Sequence, residues 1–167
     1  MTLGGTPYHL SPTFRSLGAK LMQVIPFGAA GGQNPMGMPV AFSNAVRLDV
    51  AEIRGLVWVS GQLAFDEANQ LVGPGDIRAQ TEQCLVNIRR CLEQVGGSLR
   101  DVVQVTVYVR DMSELAAIHE VRLRHFSDPL PTSTLVAVSG FVHPGALIEI
   151  TAVAALRATM RVQRSLA

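Results

Sequence analysis

The chain has 167 residues, 48% hydrophobic and only 16% charged, with a formal net charge of +1. That length suits one domain with a core that needs no disulfide or metal to hold it. The balanced charge leaves no electrostatic footprint for nucleic acid, no apolar run approaches the ~18 residues of a membrane span, and the surplus apolar surface is assigned to an oligomer interface.

Residues 1–20 carry Gly4, Gly5, Pro7, Pro12 and Gly18 and are expected to form an N-terminal extension, turn-rich and suited to a mobile segment. They show no basic stretch followed by an apolar one, so no secretory signal is read and a reducing cytoplasm is expected. Lys20 is the only lysine; in this Gly/Pro-rich leader it is poorly placed for Schiff-base or pyridoxal phosphate chemistry. Leu21 to Ile25 is the one segment of the leader that suits a short edge strand.

Ala45 to Leu48 and Leu56 to Ser60 are expected as two strands joined by a turn around Arg54-Gly55. Gly73-Pro74-Gly75 breaks the chain before a helix that Asp76 can cap. Ile77, Cys84, Ile88, Cys91 or Leu92, and Val95 recur at helical spacing as one apolar stripe, and Gly96-Gly97 stops the helix. Cys84 and Cys91 lie on that helix about 10 Å apart along its axis, too far for a disulfide, and are expected as thiols.

Val102 to Val109 alternates as a strand, with Val103, Val105, Val107 and Val109 on one face and Val102, Gln104, Thr106 and Tyr108 on the other. Asp111 and Glu114 have the spacing of a capping box for a second helix running to about Phe126. Arg122 and Arg124 are assigned to its solvated side. Pro129 and Pro131 end it, and Thr132 to Val138 and Ala146 to Leu156 are the last strands. The order β-β-α-β-α-β-β predicts an α+β domain over residues 21–157, with two helices packed on one sheet face and residues 158–167 as a tail. On the last strand Ile148, Ile150, Ala152 and Ala154 suit packing under helices, whereas Leu147, Glu149, Thr151 and Val153 form a semi-apolar second face that wants a partner chain.

Four blocks carry a family resemblance: Phe42 to Val46, Val57 to Gln62 with its Ser60-Gly61-Gln62, Asp101 to Met112, and Ile148 to Ala154. In this order and spacing the chain resembles the Rid family (RidA, YjgF, L-PSP) from roughly Met22 to Arg157. The resemblance implies a chorismate-mutase-like domain with a mixed sheet of about six strands. It also implies a homotrimer with sheets facing inward and sites at the subunit clefts, in which imines and enamines are hydrolysed.

Glu149 matches the glutamate with which the family holds and polarises the attacking water. Read without the resemblance, it is equally well a carboxylate paired with Arg47 or Arg110. Ser133, within Pro131-Thr132-Ser133-Thr134, stands where active imine deaminases have an arginine that clamps the substrate's carboxylate. A hydroxyl replaces neither its charge nor its fork geometry, and a one-residue slip would offer only Thr132 or Thr134. Phe42 replaces a site tyrosine and His119 an asparagine. By its residue type alone His119 is a partly exposed helix histidine; by its position it is a proton carrier beside Glu149. Gly61 matches a backbone requirement near the cleft. The expected site is therefore Glu149 and His119 as catalytic groups, with Ser133, Thr134, Leu135, Phe42 and Gly61 around the substrate.

His9, His119, His125 and His143 show no metal-ligand spacing, and there is no nucleophile elbow, P-loop or dinucleotide fingerprint. No metal, cofactor, nucleic acid or membrane partner is expected. Two functions remain in view. One is a small-molecule hydrolase of the imine/enamine deaminase type, acting on a substrate that lacks a carboxylate opposite Ser133 or holds it by another group. The other is a metabolite-binding trimer, a sensor or carrier without turnover.

Overall fold

The computed structural model describes residues 22–26, 39–49 and 52–157; the expected extension at 1–20 and tail at 158–167 lie outside them. Six strands form one mixed sheet: β1 (Met22–Pro26), β2 (Ser43–Leu48), β3 (Ile53–Gln62), β4 (Val102–Val109), β5 (Thr132–Ala137) and β6 (Ile148–Arg157). Their spatial order is β1-β2-β5-β4-β6-β3. Two helices, α1 (Ile77–Glu93) and α2 (Leu115–His125), pack together on one face of it. Among the described residues no helix is long and apolar enough to cross a membrane.

The helices start and stop where their ends find hydrogen-bond partners. Asp76 accepts from the backbone N–H groups of Arg78 and Ala79, and Gly96 closes α1 with φ at 72°, a conformation that disfavours any side chain. Asp111 accepts from the Ser113 N–H and opens a short 3-10 turn, Met112–Glu114, from which α2 continues.

The core lies between the helices and the sheet. From β4 it takes Val105, Val107 and Val109, from β6 Ile148, Ile150, Ala152 and Ala154, and from the helices Leu85, Ile88, Leu92, Ile118 and Val121. The expected face of β6 is thus the buried one. Cys84 is buried, Cys91 half-buried, and neither is bridged.

Four expectations need correction. Arg54 and Gly55 are inside β3 rather than in a turn, and β3 pairs with β6 while β2 lies between β1 and β5. Val103 does not share the core face of β4, because the register with β6 slips between Val102 and Gln104 and buries Val102 instead. Val95, taken as the end of the α1 stripe, is exposed, whereas Gln80 and Thr81 are buried. Arg122, taken as solvated, is 1% exposed.

The sheet leaves one edge and one face open. β2 and β5 run parallel but pair only at Ser43 and Thr132, so beyond Thr132 that edge of β5 has no strand partner among the described residues. The face away from the helices carries Trp58, Leu56 and Val136, all exposed.

Candidate active site

Ala41, immediately before β2, is held by two side chains of α2. Its N–H donates to Nδ1 of His119 at 3.1 Å, and its carbonyl accepts from Nη2 of Arg122 at 3.0 Å. A further bond, from the Ser43 N–H to the Pro131 carbonyl, ties this segment to the start of β5. Phe42 is thereby set over His119, with ring centroids 6.0 Å apart. Phe42, His119 and Arg122 line a cavity of about 270 Å³ with Met112, Leu115, Ser133 and Leu135.

Ser133 and Leu135 reach this cavity because they pair with Val105 and Val107, whose side chains lie on the helix face. Thr134 pairs with Thr106 and faces the other side of the sheet, exposed. Four of the expected site residues, Phe42, His119, Ser133 and Leu135, are therefore assembled in one place. Arg122 joins them unforeseen. The signal was present, since Leu115, His119 and Arg122 fall at i, i+4 and i+7 on one face of α2.

The electrostatics of the cavity are those of a buried cation beside a neutral imidazole. Burial, then the charge of Arg122, hold the His119 imidazole down at about 4. With Nδ1 accepting from Ala41, its proton sits on Nε2 at neutral pH. Burial lowers Arg122 to about 10, so it remains a cation. Its Nε and Nη1 are buried without an acceptor among the described residues.

Glu149 is elsewhere. It pairs with Tyr108 on the face away from the helices, the face that alternation along β6 gives it, so within one chain the sheet separates it from His119. Across the β3–β6 pair the register slips between Val59 and Gln62, and there a Cβ on Gly61 would collide with the Glu149 carboxylate. The arginines expected as its structural partners are engaged elsewhere: Arg47 with Asp49 at 2.9 Å, and Arg110 with the Pro144 carbonyl at 2.8 Å. The start of β6 is braced by buried Gln80, whose Oε1 accepts from the Leu147 N–H at 2.8 Å while Nε2 donates to the carbonyls of Gly73 and Gly145.

A larger hollow of about 350 Å³ surrounds the start of β4. Two of its lining side chains already have partners: Arg157 meets Asp101 at 3.3 Å, and His125 meets Glu82 at 2.6 Å.

The family model for Endoribonuclease L-PSP matches residues 36–156. The chain belongs to this family, known also as Rid or YjgF. It is 39% identical over 120 residues to the 3-aminoacrylate deaminase RutC of Acinetobacter baylyi, spanning 72% of this chain and 93% of the relative. Among solved structures, the Rid-family protein YyfB of Yersinia pestis, described as of unknown function, superposes with a TM-score of 0.67. That match is at 28% identity and covers 82% of this chain and all of that one. RidA of an Antarctic Psychrobacter species gives 0.58 at 34% identity, covering 71% and 94%. The Rid fold is thus a mixed sheet with two helices over one face, and this Rid-family chain keeps it while carrying Ser133, Phe42 and His119 at its cavity.

Proposed function

We propose that this Rid-family chain is a hydrolase of the imine/enamine deaminase kind, working as a homotrimer with Glu149 holding the attacking water. The observation that carries this reading is the unshared Glu149 carboxylate. It has no cationic partner among the described residues and is fitted against a glycine at a sheet irregularity, a place where such features re-aim functional side chains. The similarity to a 3-aminoacrylate deaminase supports the same reaction class.

The chemistry needs only water, proton transfer and positioning. An enamine is first protonated on carbon to give the imine. Water then adds to the C=N carbon as Glu149 takes its proton. That proton passes to nitrogen to give a carbinolamine; the hydroxyl proton then moves to the same nitrogen, the C–N bond breaks, and ammonia leaves as the carbonyl forms.

Because Glu149 and the cavity lie on opposite faces of one chain, the site is completed by a neighbouring subunit at the unpaired edge of β5. The exposed Leu56, Trp58 and Val136 are consistent with a face that other copies cover. Ser133 offers no charge, so the substrate either lacks a carboxylate there or has it held by another group.

The test is ammonia release from freshly generated imines by the wild type and Glu149→Gln. A fall in kcat of about 10²- to 10⁴-fold with little change in KM is expected; an unchanged rate would sink the mechanism. A second reading, binding without turnover, is favoured by His119, which is neutral at pH 7 with its tautomer held by Ala41. Ligand-induced stabilisation with no ammonia from any imine would select it.

A further inference from the structure

Arg122 is a charged side chain with more donors than the protein uses. It is 1% exposed, and its bond to the Ala41 carbonyl employs one nitrogen. The other two, Nε and Nη1, are buried with no acceptor among the described residues. Removing charged N–H groups from water without supplying acceptors is strongly unfavourable, and a fold tolerates this chiefly where something else completes the pairing. A tether for Ala41 does not account for those nitrogens. Nor is there an ion-pair partner, since every salt bridge among the described residues involves other groups.

We propose that Arg122 anchors an anion subsite in the cavity it shares with Phe42, His119, Ser133 and Leu135, and that the occupant is a small organic carboxylate. The assignment rests on the cavity being the substrate site and adds the substrate's class to that reading. Three features select a carboxylate. The walls of Phe42, Leu115, Met112 and Leu135 suit a short carbon chain, and about 270 Å³ admits only a small molecule. One cation neutralises one negative charge, so a dianion would keep an uncompensated charge against apolar walls. Ser133 and the Nε2–H of His119 supply neutral donors at the same cavity. Helix α2 therefore provides the charge that position 133 does not.

Binding there has a second consequence. The Arg122 charge contributes to holding the His119 imidazole low, and an anion against the guanidinium cancels that contribution. The titration midpoint of His119 then moves up when the subsite fills.

The experiment uses the full chain with propionate, its uncharged isostere propionamide, and inorganic phosphate, measured by calorimetry and by NMR titration of the His119 ring. Propionate is expected to bind about tenfold or more tightly than propionamide or phosphate. It should also raise the His119 midpoint and lose that advantage in Arg122→Met. Equal binding of propionate and propionamide, or no propionate binding, overturns the subsite. Phosphate binding as tight as propionate overturns the carboxylate assignment. Should Arg122→Met not fold, the wild-type comparison and the His119 titration still decide. Carboxylate binding with no ammonia from any imine would sink the hydrolase reading and leave the subsite standing; turnover of uncharged imines that Arg122→Met does not slow would do the reverse.

Discussion

The Glu149 carboxylate occupies the volume where a side chain at Gly61 would begin. The two residues meet where the β3–β6 register slips between Val59 and Gln62, so the glycine is required by close approach rather than by backbone conformation. Gly61→Ala should therefore push the carboxylate off its position. Its rate of ammonia release should fall to that of Glu149→Gln, and the double variant should be no slower than either alone. Additive losses would show that Gly61 acts through something else. Overpacking should cost about 1–3 kcal/mol of stability, read by denaturant melts.

His119 sets a pH dependence whose sign comes from its lowered value. The folded midpoint, about 4, lies below the ordinary histidine value of 6.5. Between them the unfolded chain binds the extra proton, so stability is fully present above about 6.5 and is lost as pH falls toward 4. Each unit of difference corresponds to about 1.4 kcal/mol. Urea midpoints measured from pH 7.5 to 4 should fall more steeply in the wild type than in His119→Phe; parallel curves would refute the buried neutral imidazole.

Gln80 is a buried brace between α1 and the start of β6, serving Gly73, Gly145 and Leu147 at once. Gln80→Leu keeps the bulk and orphans all three backbone groups, each worth about 1–3 kcal/mol when buried. A drop in Tm with a reduced kcat is expected, because the strand that carries Glu149 loses its anchor. A variant as stable as the wild type would mean that solvent or rearrangement replaces the amide.

Trp58 is 71% exposed on the sheet face away from the helices. If other copies cover that face, Trp58→Glu buries a charge at their junction and should convert a trimeric mass by light scattering into a monomeric one. Loss of activity should accompany it, because Glu149 would no longer reach a neighbour's cavity. A wild type that is already monomeric at micromolar concentration would end the trimer proposal.

Much of the architecture was legible in short-range pattern. Alternation in β4 and β6, the Asp76 cap and the Gly96 stop are local features, and the edge strand β1 stood out from its Gly/Pro-rich surroundings. The same alternation placed Glu149 away from the helices. What local pattern misjudged depended on partners distant in sequence. Gly55 resembled a turn until pairing with β6 extended β3 through it, and Val103 kept parity with Val105 until the bulge broke it. Arg122 is the clearest case. Its spacing from Leu115 and His119 put it on a buried face while its charge argued for solvent, and only the packing of Ala41 and β5 over α2 resolved the conflict. Which segments are strands and helices, and which of their sides are apolar, can be read from the residues alone, because those depend on neighbours within a turn or two of chain. Which charged group is stripped of water, and which carboxylate is left unshared, was decided by the tertiary structure alone, because desolvation depends on everything that packs around a side chain.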